Sequence, residues 1–340
     1  MECKVKKSDI VQQILRTSER SIVSASTRRD QGVAYAPTNI ALCKYWGKRD
    51  TELNLPITSS LSIALPDKGA MTTLTWNTKA MDVVILNGNE LPAESVFVTR
   101  LVQYLDLFRT VDRWYLQVDI KMNIPAAAGL ASSACGFASL ACALNDLLQW
   151  QLTPRDLSLL ARLGSGSAAR SLWNGFVIWH EGMREDGMDS FGEPLSYEWP
   201  SLRVGLLSIS EAQKPISSRD AMLRTVNSSS LYGSWSRKAS QDLSIFKQAL
   251  KTKNFSLLGG TAESNALAMH ATMLSSWPPI CYYLPATLDA MHQIWDLRRA
   301  GCEVYFTQDA GPNLKLLFQE NQADELQKAF PDMEVIKVFE

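Results

Sequence analysis

The chain of 340 residues lacks the cysteine and histidine patterns that hold metals or form disulfides. Its six cysteines include no CxxC pair, and several lie inside apolar runs, so we expect reduced thiols in a cytoplasmic protein. The three histidines, His180, His270 and His292, are far apart in the sequence and have no cysteine close by. A zinc site or another histidine-based metal site is therefore not predicted.

A strong net charge and long apolar runs are also absent. The 34 basic residues nearly balance the 35 acidic ones, so no overall field attracts nucleic acid or an anionic membrane surface. No run reaches the roughly 18 apolar residues typical of a membrane-spanning helix. Charged or polar residues interrupt the stretch from Lys4 to Arg29, where a signal peptide would have its apolar core. We expect a soluble, cytoplasmic protein that binds neither membranes nor nucleic acid, and any anion site must be local.

The apolar content, 46% of the residues, is sufficient for real cores, and the length allows two domains of ordinary size. An acid- and glycine-rich loop at residues 184–200 predicts the boundary between them. We expect an N-terminal extension at 1–30 with a short amphipathic helix, a first domain at 31–200 and a second at 201–340. Asn87-Gly88 is the strongest hairpin signal in an antiparallel first sheet. Helical periodicity is present at 9–15, 93–108, 136–148, 153–162, 241–250, 255–273, 287–300 and 324–330, and strand patterns at 53–65, 71–76, 117–123, 176–179, 202–209, 303–307, 313–318 and 333–339.

The run Pro125-Ala-Ala-Ala-Gly-Leu-Ala-Ser-Ser-Ala-Cys-Gly136 lies between a predicted strand and a predicted helix. A helix N-terminus has unpaired N–H groups, and small residues let a polyphosphate approach them closely. The run therefore predicts a phosphate cradle, to which Ser132 and Ser133 can add hydroxyl groups. Taken alone, the same composition is more typical of a tight turn whose small residues only allow close packing. It matches neither GxGxxG nor GxxxxGK[ST].

Three cations, Lys44, Lys48 and Arg49, flank the aromatic pair Tyr45 and Trp46. Such a cluster is able to hold an anionic substrate between positive charge and aromatic rings. The alternative is a solvated basic turn beside two core aromatics.

A second turn of glycine and serine, Gly164-Ser-Gly-Ser-Ala-Ala-Arg-Ser171, ends in an arginine. The Arg170 guanidinium offers two parallel donors that suit a carboxylate or a phosphate. The alternative is an arginine paired with a surface acid.

Two further segments stand out later in the chain. Residues 211–219 form a basic, hydroxyl-bearing loop, and Asp309 stands in a tight turn, where an aspartate is often only a turn former.

Together these segments closely resemble the mevalonate diphosphate decarboxylases of the GHMP kinase superfamily, over roughly residues 32–318. Six motifs occur in the order that the family has. They are Ala36-Pro-Thr-Asn-Ile-Ala with Lys44-Tyr-Trp-Gly-Lys-Arg-Asp50, Ala127-Ala-Gly-Leu-Ala-Ser-Ser-Ala134, Gly164-Ser-Gly-Ser-Ala, Lys214-Pro-Ile-Ser-Ser-Arg219, Ser276-Trp-Pro-Pro279 and Asp309-Ala-Gly-Pro-Asn313.

The resemblance implies a two-domain α+β GHMP kinase fold. The N-terminal half would be of the ribosomal S5 domain 2 type, the C-terminal half an α/β sandwich, and the active site would lie in the cleft between them. It also implies an ATP-dependent decarboxylation of mevalonate 5-diphosphate to isopentenyl diphosphate in isoprenoid biosynthesis, with release of ADP, phosphate and CO2. ATP would bring its own Mg²⁺ rather than use a protein cage. A cytoplasmic homodimer is the expected assembly.

The resemblance also assigns roles to individual residues. Asp309 matches the aspartate beside the C3 hydroxyl, Arg170 the arginine that grips the C1 carboxylate, and Lys44 a lysine near the reacting groups. The implied substrate-binding residues are Tyr45, Trp46, Gly47, Lys48, Ser165, Gly166, Ser167, Ala168, Ala169, Arg170, Lys214, Ser218 and Arg219, and the implied ATP-binding residues are Ala128, Gly129, Leu130, Ala131, Ser132 and Ser133.

The chain departs from the family pattern at three places. Ala169 stands where cysteine is common, and Asn174 where a second glycine is common. Eukaryotic members have an arginine that reaches the substrate phosphates at the position of Met81, with Lys79 two residues earlier here. Because the arginine for the substrate phosphates is missing, two other enzymes remain as alternatives to the diphosphate decarboxylase. They are a mevalonate 5-phosphate decarboxylase and a mevalonate 3-kinase. A catalytically silent metabolite sensor is a further alternative, but such a protein would have no chemical need for Asp309, Arg170 and Lys44 together.

Overall fold

The computed structural model describes residues 4–17, 29–109, 114–124, 132–212 and 216–339. Its α-helices are α1 (Lys7–Thr17), α2 (Val96–Leu105), α3 (Ser132–Leu148), α4 (Pro154–Gly164), α5 (Ser218–Ser228), α6 (Tyr232–Thr252), α7 (Phe255–Leu274), α8 (Pro285–Arg299) and α9 (Ala323–Ala329). Its strands are β1 (Gln31–Cys43), β2 (Lys48–Asp50), β3 (Leu55–Pro56), β4 (Ser60–Asn77), β5 (Val83–Leu86), β6 (Asn89–Glu90), β7 (Tyr115–Met122), β8 (Phe176–Trp179), β9 (Gly192–Pro194), β10 (Leu202–Leu207), β11 (Val304–Gln308), β12 (Leu314–Gln319) and β13 (Glu334–Lys337). Short 3-10 helices span Asp106–Phe108, Gly166–Arg170 and Glu320–Gln322.

Strand β4 is the centre of the sheet in the first half of the chain. It pairs antiparallel with β1, β7 and β8, and the sheet order is β6-β5-β7-β4-β8-β9 with β1 also on β4. The prediction of two separate strands at 53–65 and 71–76 is wrong, because the chain continues as one strand past Pro66. A bulge opposite Pro37 leaves residues 66–68 of β4 without ladder partners on β1. Pro66 has no N–H, but because it lies in this unpaired segment, it breaks no hydrogen bond to β1.

The predicted hairpin at Asn87-Gly88 is confirmed. Leu86 pairs with Asn89 across a two-residue turn whose backbone φ angles are 49° at Asn87 and 83° at Gly88. Both values lie in the left-handed region, which asparagine and glycine adopt most readily. The prediction that the first sheet is antiparallel is wrong for one pair of strands, because β5 runs parallel to β7.

Helix α3 follows the predicted phosphate cradle and packs against β1 and β4. The helix and β1 approach each other closely at Gly32 of β1 and Ala143 of α3. A Cβ on Gly32 would lie 2.4 Å from the Ala143 carbonyl oxygen, so only glycine fits at this contact. Inside the contact, the Thr72 and Ser139 hydroxyl groups are 2.7 Å apart, so each buried hydroxyl has a partner. The N-terminus of α3, to which the cradle leads, is thereby fixed on the sheet.

The second half of the chain forms a four-stranded antiparallel sheet in the order β11-β12-β10-β13. Helices α7 and α8 both contact β11. One apolar cluster joins the two halves, since Ile40 and Leu42 of β1 pack in the same core as Leu202 of β10 and Phe246 of α6. This shared core fixes the end of β1 against the second half. The domain boundary at residue 200 stays a prediction.

Two helical regions differ from the sequence expectation. Helix α5 was not predicted, and α6 begins at Tyr232 rather than at residue 241. Both segments are rich in serine, which is a weak helix former, so local propensity gives little signal. Their helices are stabilised by tertiary packing instead, because Ala221 and Trp235 lie in one apolar cluster with Trp46. None of the helices in the described ranges is both long and apolar enough to span a bilayer.

Candidate active site

A cavity of about 660 Å³ lies between the two halves of the chain. Its wall comes from the end of β1, the start of α3, the 3-10 turn at Gly166–Arg170, the start of α5 and the turn after β11. The predicted site residues on the wall are Lys44, Tyr45, Trp46, Lys48, Ser132, Ser133, Ser165, Gly166, Ser167, Arg170, Ser218, Arg219 and Asp309. The fold therefore brings together segments that are far apart in the sequence.

Asp309, in the turn after β11, contacts two lysine side chains. Lys44 Nζ lies 2.7 Å from Asp309 Oδ1, and Lys315 Nζ lies 3.3 Å from Oδ2. Burial alone would raise the pKa of Asp309, but the two lysines outweigh burial and hold that pKa well below its usual range. The Asp309 side chain thus forms ion pairs and does not serve as a simple turn former.

Lys44 is held from the second half of the chain. Its backbone N–H donates to Asn265 Oδ1 at 2.9 Å, and Asn265 Nδ2 donates to Asp242 Oδ2 at 2.8 Å. The Lys238 ammonium completes this chain of contacts at Asp242. Burial lowers the pKa of the Lys44 ammonium, against the pull of Asp309. Lys44 is therefore a tightly positioned cation whose proton is easier to lose than that of a surface lysine.

His270 supports the same turn from α7. Its Nε2 lies 3.1 Å from the Asp309 carbonyl oxygen, and its ring stacks on Tyr283 with centroids 5.1 Å apart. Burial, and after it the charge of Lys44, lowers the pKa of His270 to about 3. The imidazole is neutral near pH 7, and its N–H donates to the backbone.

Arg170 is buried, with only 2% of its surface exposed, and it faces the cavity. Its Nε and Nη2 lie 3.4 Å from Asn39 Oδ1, and Nη1 donates to Ser60 Oγ. No acidic side chain of the described ranges forms an ion pair with it, so the alternative of a surface ion pair does not hold there. Burial lowers the pKa of Arg170 to about 10, against the charge of Asp309. The guanidinium is oriented by neutral groups and stays positively charged at neutral pH.

The aromatic pair after Lys44 forms part of the wall. Tyr45 packs edge-on against Trp179 at 4.7 Å between ring centroids, and its buried hydroxyl has no hydrogen-bond partner among the described residues. The Trp46 carbonyl accepts a hydrogen bond of 2.7 Å from the Tyr232 hydroxyl. Gly47, with φ 111°, has no space for a Cβ, which would lie 1.8 Å from that same hydroxyl. Glycine is required here for both conformation and close contact.

The two Gly/Ser turns meet in the cavity. Ser133 Oγ, at the start of α3, lies 3.2 Å from Ser165 Oγ, and Ser165 Oγ lies 3.4 Å from Ser167 Oγ. Hydroxyl groups and the free N–H groups of a helix start are typical ligands for phosphate oxygens. The predicted ATP-binding residues Ala128, Gly129, Leu130 and Ala131, like Lys214, lie outside the described residues.

One end of the cavity is strongly basic, with Lys48, Arg100 and Arg219 on its wall. Burial lowers the pKa of Lys48 to about 8, with additional lowering by Arg219, Lys7 and Arg100. Burial also lowers the pKa of Lys7, on α1, in the same field of Arg219 and Arg100. We name Lys7, Lys48, Arg100 and Arg219 the basic cluster. The positive charges of the basic cluster repel one another, and an anionic ligand bound among them would offset this repulsion.

Some predicted residues are not on the cavity wall. Gly47, Ala168 and Ala169 are buried and do not line it; the two alanines are core residues of the 3-10 turn that carries Arg170. Neither Met81 nor Lys79 lines the cavity.

Other residues of the site were missed. Asn39 lies within a quoted motif, and Lys315 is a lone cation in an apolar strand, so both had a local signal. Arg100 and Asn265 lie in ordinary helical patterns, and only the fold reveals them. In the described part of the chain, no three His, Cys, Asp or Glu side chains lie close enough to hold a metal ion.

The fold and the cavity define the class: a two-domain α+β protein whose central cleft is lined by cations and hydroxyl groups. Two family models agree with this architecture. The diphosphomevalonate decarboxylase-like N-terminal domain matches residues 36–192, and the mevalonate 5-diphosphate decarboxylase C-terminal domain matches residues 204–337.

Similar proteins lead to the same family. The chain is 37% identical over 334 residues to a diphosphomevalonate decarboxylase of Aspergillus fumigatus, covering 91% of this chain and 80% of that protein. It is 35% identical over 309 residues to the diphosphomevalonate decarboxylase of Saccharomyces cerevisiae, covering 85% and 78%. The chain belongs to the diphosphomevalonate decarboxylase family.

Solved structures share the fold closely. A structure of MDDEF in complex with MVAPP, AMPPCP and magnesium is 39% identical, with a TM-score of 0.84 and coverage of 91% of this chain and 97% of that chain. The mevalonate diphosphate decarboxylase from Staphylococcus aureus is 36% identical, with a TM-score of 0.85 and coverage of 91% and 96%. The two-domain α+β fold inferred from the sequence is thereby confirmed.

Proposed function

We propose that this protein catalyses the ATP-dependent decarboxylation of mevalonate 5-diphosphate to isopentenyl diphosphate, with release of ADP, phosphate and CO2. The observation that carries the proposal is that Asp309, Lys44 and Arg170 line the same cavity as the serines at the start of α3. Each step of this reaction places charge at a different position, and the cavity has a matching group for each.

The first step transfers the γ-phosphoryl group of ATP to the C3 hydroxyl of the substrate. Asp309 is ionised, so it accepts the hydrogen bond of this hydroxyl, orients the oxygen towards phosphorus and takes the proton as the O–P bond forms. Lys44, at 2.7 Å from Asp309 Oδ1, holds the carboxylate in place and offsets the negative charge that gathers on the transferred group.

The second step breaks the C3–O bond to the new phosphate while the C1 carboxylate leaves as CO2, and the bonding electrons form the double bond. Arg170 grips the carboxylate with two parallel donors and aligns it with the departing phosphate. The absence of an acidic ion-pair partner among the described residues supports this role, because the guanidinium keeps its charge for the substrate. Asn39 and Ser60 set its orientation.

ATP and its Mg²⁺ fit the other side of the cavity. Ser132, Ser133 and Ser165 are the residues that would contact the nucleotide phosphates, next to the N-terminal N–H groups of α3. When bound, Mg²⁺ offsets the charge of the phosphates and orients them.

The basic cluster supports a diphosphate over a monophosphate. Lys48, Arg100 and Arg219 line the end of the cavity that the two substrate phosphates would fill. Arg100 supplies, from α2, a guanidinium that the position of Met81 does not provide. Several clustered cations are more than one phosphate group needs, and they suit a group with two.

The decisive experiment is a coupled assay that follows ADP with mevalonate, its 5-phosphate and its 5-diphosphate, while CO2 release is measured in parallel. We expect ADP and CO2 in equal amounts with the diphosphate. ADP without CO2 would indicate a 3-kinase, preference for the monophosphate would indicate the phosphate decarboxylase, and no turnover at all would contradict an enzymatic function.

We also propose a cytoplasmic homodimer. The five cysteines in the described ranges are free thiols, which suits a reducing compartment. Val33, Tyr35 and Met71 are exposed apolar side chains on neighbouring positions of β1 and β4, which suits contact with a second copy. Sedimentation velocity tests the dimer, and cell fractionation tests the location.

A further inference from the structure

The Asp309 carboxylate has a second cationic neighbour that lies outside the motifs of the site. Lys315 Nζ is 3.3 Å from Asp309 Oδ2, whereas Lys44 Nζ is 2.7 Å from Oδ1, so each oxygen faces a different ammonium group. Lys315 is on β12 and pairs with Thr307 of β11, the strand that leads into the Asp309 turn. Its side chain is 1% exposed.

Two contacts restrict the carboxylate in a way that one does not. The terminal torsion of an aspartate has a broad minimum, so an ion pair at Oδ1 alone leaves the carboxylate free to rock. A second ammonium group at Oδ2 removes that freedom. The Asp309 side chain remains 26% exposed, which leaves part of the carboxylate for a ligand in the cavity.

Stability does not explain the charge of Lys315. Two buried lysines, Lys44 and Lys315, contact one carboxylate, and Lys315 itself acts to lower the pKa of Lys44. His270, whose Nε2 contacts the Asp309 carbonyl oxygen, is neutral because burial lowers its pKa to about 3. Two buried ammonium groups that share one carboxylate repel each other, which is unfavourable for folding. A charge at this position therefore points to a task in the site.

We propose that Lys315 is a positioning residue: its ammonium group fixes the Asp309 carboxylate in the orientation that receives the substrate hydroxyl, and keeps it negatively charged. The inference rests on the proposed function for the identity of the substrate. It assigns Lys315 no contact with the substrate, because Lys315 acts through Asp309.

Lys315→Met tests this, since methionine fills a similar volume without the charge. We expect kcat to fall roughly 10- to 100-fold, while both KM values stay within about twofold. Removal of one cation raises the pKa of Asp309, so the acid limb of the kcat profile moves to higher pH. Lys315→Arg keeps the charge and is expected to restore the position of the acid limb. Lys337→Met, an exposed lysine on β13 of the same sheet, is the matched control.

Two outcomes overturn the inference. One is a folded Lys315→Met protein with unchanged kcat and pH profile. The other is a lower kcat with an unshifted acid limb and a lower melting temperature, which would indicate a structural role. A measurement independent of turnover separates this failure from failure of the proposed function: NMR titration of ¹³C-labelled aspartate carboxyls, with Asp309→Asn used for assignment. An Asp309 signal that titrates at the same pH in wild type and Lys315→Met contradicts the inference even if no mevalonate derivative is turned over.

Discussion

Lys44 and Asp309 are 265 positions apart in the chain, yet Lys44 Nζ lies 2.7 Å from Asp309 Oδ1. One side chain follows the last residue of β1 and the other follows β11, so their ion pair joins the two halves of the molecule at the floor of the cavity. A buried ion pair contributes little net stability, but loss of one partner leaves an uncompensated charge. We therefore interpret the pair through the proposed hydrogen bond between Asp309 and the C3 hydroxyl of the substrate.

The first prediction concerns Asp309→Asn. The amide keeps the shape of the side chain but cannot take the hydroxyl proton, so we expect turnover to fall by a factor on the order of 10²–10⁴. Substrate and ATP binding should change little, because the amide oxygen of asparagine can still accept the hydrogen bond of the C3 hydroxyl. Steady-state kinetics and equilibrium binding measure the two effects separately.

Asp289→Asn, on the exposed face of α8, is the control for the loss of one carboxylate. A loss well under tenfold for Asp309→Asn, in a protein with an unchanged circular dichroism spectrum, would contradict the assignment. Lys44 would then become the leading candidate for the proton acceptor.

The second prediction concerns Arg170→Lys. Lysine keeps the positive charge but loses the planar pair of donors that Asn39 and Ser60 orient. We expect a heavy loss of overall rate, and in a single turnover we expect ADP to appear before CO2, because decarboxylation is the step that needs alignment of the carboxylate.

The matched control is Arg299→Lys, an exposed arginine at the end of α8. If ADP and CO2 appeared together at the wild-type rate and only the KM for substrate rose, Arg170 would be a binding residue without a part in decarboxylation.

The sequence predicted the parts of this site that short motifs carry. Asp309, Arg170 and Lys44 each stand in a local pattern, and the fold brings all three to one cavity. Arg100 and Asn265 have no such pattern, because their contribution depends on which helix face meets the cavity after folding. Lys315 does carry a local signal, since a single cation inside an apolar strand costs free energy unless it is paired.

The prediction of secondary structure failed at α5, α6 and β4 for a related reason. Helices α5 and the first turns of α6 are rich in serine, and they form because Ala221 and Trp235 pack against Trp46, a contact that no local window contains. The strand patterns at 53–65 and 71–76 leave out the segment around Pro66, whereas β4 continues through it because the bulge opposite Pro37 accommodates the proline. Long-range packing decided each of these cases.

The third prediction concerns pH. Burial lowers the pKa of Lys48 to about 8, together with repulsion from Arg219, Lys7 and Arg100. Below this pH the lysine is charged and binds phosphate; above it the charge is lost, so kcat/KM for the phosphorylated substrate should fall as the pH rises through about 8. Bound phosphate stabilises the charged form, so kcat itself should fall only at higher pH.

Lys48→Arg stays charged throughout this range and should remove the alkaline limb of kcat/KM. A wild-type profile that is flat through the same pH range, or an identical alkaline limb in Lys48→Arg, would be inconsistent with Lys48 as a phosphate ligand.

The last prediction concerns Arg100, on the wall of the basic end of the cavity. Its Nη2 lies 3.4 Å from the Gly164 carbonyl oxygen, and its guanidinium lies 5.5 Å from the centre of the Phe137 ring, so the side chain extends from α2 towards the site. A hydrogen bond to a charged group contributes about 1.5–3 kcal/mol, so Arg100→Ala should lower kcat/KM for the diphosphate by about 10- to 100-fold. The kcat/KM for the monophosphate should change much less, so the ratio of the two kcat/KM values should become smaller.

Thr99→Ala, an exposed neighbour on the same helix, controls for the change to alanine in α2. Equal losses with both substrates would mean that Arg100 does not select the terminal phosphate, and selection would then rest on Lys48 and Arg219.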